Sequence, residues 1–248
     1  MRPVKIALWT LLLLPVLIGL AVLATLALLK SVPGDYQPMS LSPSDQETVM
    51  RQFVKHTVED FLNPAGAGGD FQWTLTEEQA NAYLASMDAI ASQAPRPVQP
   101  SKALAELNLS DPMIKIRQGR LTLMIFSTRY NRLLNVDFSP QVDAAGSFRL
   151  RVVTVRVGRM PLPRILWQDR LEEVRRRLLQ QLSGAQADNS QRSEQPIGRL
   201  AELLGGMVGA MNGQEVPARI SLSRRQVEVR SIEMVTGLLT VHCRAVPQ

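Results

Sequence analysis

The sequence predicts an α+β protein, with an N-terminal transmembrane helix followed by one domain in which a curved antiparallel sheet packs on amphipathic helices. Three observations predict it. Residues 6–29 form one apolar run without a charge. Apolar residues recur at helical spacing over 44–62 and 164–182. Between Met113 and Val157, and again from Ala218 onward, they alternate with a period of two.

The apolar run reads IALWTLLLLPVLIGLAVLATLALL. At about 1.5 Å per residue it makes a helix of about 36 Å, enough to cross a hydrocarbon core of about 30 Å with some tilt. A cleaved signal peptide has a shorter apolar region closed by a small-x-small site, whereas Leu28-Leu29-Lys30 closes this one. No cysteine stands directly after the run, so a lipoprotein signal is excluded. Arg2 and Lys5 precede the run, and Lys30 alone follows it before Asp35. The positive-inside rule then places the N-terminus in the cytoplasm and the rest of the chain outside it, in the cell envelope. The expected organisation is a cytoplasmic tip and anchor at 1–30, a proline-bearing tether at 31–43, and an extracytoplasmic domain at 44–248 with a flexible loop at 183–195.

Within the domain, Ser44-x-x-Glu47 offers a capping box for a helix through Val49, Phe53, Val54, Val58, Phe61 and Leu62, ended by Asn63-Pro64 and the Gly66–Gly69 stretch. His56 lies off that stripe and reads as a surface residue. Residues 71–75 read as a strand, and Thr76-Glu77-Glu78-Gln79 as a second capping box before a short helix with Ala80, Tyr83, Leu84 and Met87. A proline-rich loop is expected at 92–101.

Four strands of a meander follow. Ile114 and Ile116 alternate with Lys115 and Arg117 before a turn at Gly119. The 121–126 strand is apolar on both faces, and Leu134, Val136 and Phe138 form the next. After the Ala144-Ala145-Gly146 turn, Phe148, Leu150 and Val152 share one parity and Val153, Val155 and Val157 the other. A one-residue phase slip within a strand is the signature of a β-bulge. Gly158 to Pro163 should stop the sheet, since neither Pro161 nor Pro163 can donate to a ladder.

The 164–182 helix carries Trp167, Leu171, Val174 and Leu178 on one face. A weaker, glycine-interrupted helix is expected at 197–211, with a second phase slip between Val229 and Ile232 in the terminal strands. The sheet should hold about six to eight strands, near the usual size range.

Charge and composition narrow the function. Half of the formal net charge of +6 belongs to Arg2, Lys5 and Lys30, and the remaining basic residues form no dense tract interleaved with aromatics. No nucleic-acid partner is expected. Cys243 is the single cysteine, so no disulfide can form within the chain, and its surroundings read as those of a small strand residue.

No phosphate-cradling glycine loop, HExxH, GxSxG or SxxK occurs. His56 and His242 are the only histidines, so no metal or cofactor and no enzymatic activity are expected. Asp169, Glu172 and Glu173 lie among arginines and read as a solvated ion-pair face.

Two stretches resemble the YpmS-type envelope proteins, a bacterial family with one N-terminal anchor and an extracytoplasmic domain of unknown function. One is Phe71-Gln72-Trp73-Thr74-Leu75-Thr76-Glu77-Glu78-Gln79-Ala80-Asn81-Ala82-Tyr83-Leu84, a strand-then-helix opening with an Asn before the aliphatic end. The other is Val155-Arg156-Val157-Gly158-Arg159-Met160-Pro161-Leu162-Pro163, a strand, Gly and Leu-Pro corner. The resemblance implies the anchored architecture and the location, and no activity.

Bulged, curved strands around an amphipathic helix also suggest, by analogy, tubular lipid-binding domains. The expected function is therefore a membrane-anchored extracytoplasmic binding module for lipid or another apolar ligand. Its cavity would be lined by Leu121, Leu123, Ile125, Phe138, Val155, Leu200, Leu204 and Met207. The alternatives are a non-enzymatic envelope scaffold that docks partner proteins and, third, a hydrolase or transferase acting on envelope polymers.

Overall fold

The structure, a computed structural model, describes residues 20, 23–25, 27–92, 99–143, 145–168, 216–222 and 225–247. Most of the apolar 6–29 run lies outside them. Among the described residues no helix is long and apolar enough to cross a membrane. The 183–195 loop, the 197–211 helix, and Leu171, Val174 and Leu178 also lie outside them.

The chain is α+β with antiparallel sheets. The expected single sheet is instead two, one of four strands and one of six. The first runs β1 (Gly69–Thr76), β10 (Leu238–Pro247), β9 (Arg225–Val235), β8 (Arg219–Leu222). The second is the meander β2 (Leu109–Arg117), β3 (Arg120–Ser127), β4 (Arg132–Val142), β5 (Ser147–Val157), β6 (Met160–Pro161), with β7 (Val216–Pro217) paired to the start of β5. The division follows from connectivity, because β1 pairs with the chain's last strand while β2 begins a separate meander. The hairpin turns of the two sheets bond to each other, Gly119 N–H donating to Met234 O at 3.1 Å and Gly237 N–H to Ile116 O at 3.0 Å.

Both expected phase slips are bulges. Asp137 pairs with Thr154 and Phe138 with Val152, which leaves Val153 as the extra residue of β5. Cys243 pairs with Val229 and His242 with Ser231, which leaves Arg230 as the extra residue of β9. A third irregularity, unexpected, lies in β2 between Ser110 and Met113, where Asp111 takes φ 52. The Gly158–Pro163 corner departs from expectation in one detail. Met160 and Pro161 still pair with β5 as a two-residue edge strand, where a missing donor is tolerated, before helical backbone begins at 164.

Helix α1 (Pro43–His56) starts earlier than expected. Ser42, rather than Ser44, is its N-cap, accepting from Asp45 N–H at 3.3 Å, because Pro43 is suited to the first helical position. Of its two expected stops, Asn63-Pro64 is passed and the Gly66–Gly69 stretch holds. The helix passes through a π-helical turn (Thr57–Leu62) into α2 (Asn63–Ala67) and ends at Gly68, whose φ of 89 suits glycine. Pro64 lacks an N–H and crowds the carbonyl four residues back, and a widened turn just upstream accommodates both problems. That turn adds one residue to the period. Phe61 and Ala65 therefore reach the core of the four-stranded sheet with Val227, Cys243 and Ala245, while Val54 and Val58 of the expected stripe are exposed.

His56 is a correction as well. It is largely buried, packed beside Trp73 and Tyr83, with Nε2 2.9 Å from Thr74 O. The second capping box holds. Thr76 Oγ1 accepts from Gln79 N–H and Gln79 Oε1 accepts from Thr76 N–H, opening α3 (Glu77–Ala85), after which α4 (Met87–Ala91) carries Met87. The expected 92–101 loop closes early, because Pro100 opens α5 (Pro100–Glu106) as an N-terminal proline can. Asp88 anchors that start, accepting from Ser101 N–H and Oγ.

The 31–43 segment is not a free spacer. Tyr36 packs on Met113, Met124 and Leu133 of the six-stranded sheet, and its hydroxyl donates to Asp111 O at 2.8 Å. Arg117 pairs with Asp35 at 2.7 Å. Further back, Arg159 N–H donates to Leu28 O at 3.1 Å. Residues 28–37 thus form part of the domain's packing.

Candidate functional site

The six-stranded sheet has two faces of different chemistry, and alternation sets both. On one, Leu121 stands opposite Phe138, which stands opposite Val152, and Leu123 opposite Val136, which stands opposite Val155. Ile125 pairs with Leu134, and that residue with Val157. Ile114 and Ile116 extend the face through β2. It is apolar across four strands, with Phe138, Ile125, Val155 and Leu150 buried. The bulge at Val153 permits this, since without the extra residue Val155 and Val157 would turn to the other side.

The structure therefore brings five expected lining residues, Leu121, Leu123, Ile125, Phe138 and Val155, onto one sheet face. Leu200, Leu204 and Met207 lie outside the described residues. An open recess of about 350 Å³ sits at one margin of the sheet, where Pro140, Gln141, Val142, Asp143 and Arg149 meet Ser231 and Ile232 of β9. Among the described residues its lining is mixed and includes none of Leu121, Leu123, Ile125, Phe138 and Val155.

The opposite face combines the Met113–Met124–Leu133 cluster under Tyr36 with a buried polar strip. Asp137 Oδ1 accepts from Thr122 Oγ1 and from Arg156 Nη2, each at 2.8 Å. Asn135 Nδ2 donates to Gly158 O at 2.7 Å, and its Oδ1 has no hydrogen-bond partner among the described residues. The two-sided apolar reading of 121–126 holds, with Leu121 and Leu123 in one cluster and Met124 in the other.

Burial raises three titratable groups. The Tyr36 phenol is pushed up to about 12 by burial and, secondarily, by the Asp111 charge. Tyr83 is raised by burial and then by Asp60. Burial pushes the Cys243 thiol up to about 11, away from nucleophilic reactivity. Among the described residues no three His, Cys, Asp or Glu side chains are placed to hold a metal ion. His242 Nε2 lies 3.3 Å from Glu233 and His56 Nε2 3.5 Å from Asp60; neither histidine is bonded to a serine, threonine or cysteine side chain in the described structure.

Sequence reasoning missed one polar arrangement with architectural consequences. Asn81 and Glu77, both on α3, cover the outer edge of β2, and the only sequence signal near it was an Asn within a short helix that follows a capping box. No protein-family model matches the chain, and neither does any curated protein.

Proposed function

We propose that the chain is a membrane-anchored, extracytoplasmic binding module that holds an acyl chain or a similar apolar ligand against the six-stranded sheet. The supporting observation is the gathering of Leu121, Leu123, Ile125, Phe138 and Val155 on one apolar sheet face that continues into β2. Such a face needs no catalytic group to bind, since each buried CH₂ contributes about 0.8 kcal/mol. The anchor in this reading is the uncharged 6–29 run, and the YpmS-type resemblance agrees with it.

Photoactivatable phospholipid with the diazirine near the acyl terminus, incorporated into membranes bearing the full chain, tests the reading. Adducts should map to peptides from β3, β4 and β5 and diminish when Leu123→Trp fills the face. Adducts confined to residues 6–29 would remove the binding reading and favour the scaffold. A C-terminal alkaline phosphatase fusion reports topology separately and should be active in the membrane fraction.

A further inference from the structure

One end of the six-stranded sheet carries cations and exposed apolar groups together. The β3–β4 turn (128–131) and the β5–β6 turn (158–159) lie at that end, since Ser127 pairs with Arg132, Leu134 with Val157, and Gly158 N–H donates to Leu133 O at 2.7 Å. Arg129 and Arg159 are exposed in these turns and Arg132 partly so, and Arg164, also exposed, follows two residues after Leu162, whose N–H donates to Val155 O at 2.8 Å. None of the four pairs with a carboxylate among the described residues, and the sequence has no Asp or Glu at 112–136 or 144–168. Tyr130, 65% exposed, has the Arg129 guanidinium 5.4 Å from its ring centroid. Ile165 and Leu166 follow at 82% and 61% exposed.

The apolar 6–29 run ends at this same place. Leu28 O accepts the Arg159 N–H, and a Cβ on Gly158 would meet Leu28 O, Leu29 O and Ser31 O at 2.6–2.8 Å. No slack separates the run from the sheet end. We infer that this end of the sheet rests on the headgroup layer of the anchoring membrane, with Arg129, Arg132, Arg159 and Arg164 against the phosphates of anionic phospholipid and Tyr130 and Ile165 at the interface. The inference rests on the anchored reading of 6–29. Arginine forks match phosphate, and tyrosine with an aliphatic neighbour suits the boundary between headgroup and acyl chain. The β2–β3 turn, with exposed Gln118, lies at the other end of the sheet and faces away from the bilayer.

The test uses the full chain in nanodiscs of phosphatidylglycerol and phosphatidylcholine, with a spin label at Tyr130→Cys or Gln118→Cys. The unsubstituted chain, whose Cys243 is buried, serves as the labelling blank. Collision with a water-soluble nickel chelate should be several-fold lower at 130 than at 118. Arg129→Glu with Arg159→Glu, or a bilayer of phosphatidylcholine alone, should return the label at 130 to the value at 118. Equal exposure at the two positions in anionic bilayers overturns the inference while leaving the anchor intact, and equal protection in both lipids overturns the anionic preference. Release of the chain by alkaline carbonate overturns the anchored reading and this inference with it.

Discussion

Asn81 exchanges two hydrogen bonds with the main chain of Ile114, its Oδ1 accepting from Ile114 N–H at 2.8 Å and its Nδ2 donating to Ile114 O at 2.9 Å. A side-chain amide thereby reproduces what a neighbouring strand would offer to the open edge of β2. Glu77 continues the arrangement, accepting from Ile116 N–H at 2.8 Å and pairing with Lys115 at 3.0 Å. An exposed strand edge invites pairing with other chains, and α3 closes this one.

Asn81→Ala should cost about 2–3 kcal/mol, because it strands a donor and an acceptor in a part-buried site. Amide exchange at Ile114 should accelerate more than at residues of β4. Asn81→Asp should recover only part of the loss, as it keeps the acceptor and removes the donor. Urea unfolding of the three proteins checks the ranking, and equal midpoints would show that water replaces the amide.

Gly158 takes φ 60 beneath three carbonyl oxygens of residues 28–31. Gly158→Ala should cost at least about 1–2 kcal/mol from the left-handed backbone alone. The added methyl should also lift residues 28–31 off the β5–β6 turn. Trypsin cleavage after Lys30 should then quicken in the folded protein, whereas a purely local strain would lower the melting temperature and leave that rate unchanged.

Legibility divided along physical lines. The bulges at Val153 and Arg230 were readable because an extra residue must invert a period-two pattern, and the inversion is visible when both flanks are aliphatic. The bulge beside Asp111 has no such flank, since Ser110, Asp111 and Pro112 carry no apolar parity. The π-turn before Pro64 was hidden because an apolar stripe counted at 3.6 residues cannot report where one residue is added. Docking of Leu28 on Arg159 and of Tyr36 on the methionine cluster was also unreadable, because one bond is main chain to main chain and the other joins distant segments. For the candidate face, parity identified which side chains share a side. It could not show that Asn81 would close the edge.

Cys243 lies in β10 against the helix that carries Phe61 and Ala65. Its thiol is raised from 9.0 to about 11 by burial, so between these values the unfolded chain loses a proton that the folded chain keeps. Stability from this group is fully present below pH 9.0, declines as pH rises, and is lost on passing about 11. Cys243→Ala should flatten the fall in melting temperature over that interval, although the cavity lowers stability at neutral pH. An unchanged slope would assign the alkaline loss to Tyr36, raised to about 12, and to Tyr83.

Asp137 is buried between Thr122 and Arg156, and Arg156 is 35% exposed in its side chain. The two partners are therefore unequal. Removing the acid frees an arginine that can turn to water, whereas removing the arginine leaves a buried carboxylate with one hydroxyl. Arg156→Ala should accordingly cost more, about 2–4 kcal/mol against about 1–2 for Asp137→Asn, with both values discounted for the solvent that reaches Arg156. The double variant should be more stable than Arg156→Ala alone, because the amide removes the stranded charge. Added salt should alter these differences little, since Asp137 is shielded from bulk ions. Strict additivity in denaturant unfolding would mean that the carboxylate finds other donors once Arg156 is gone.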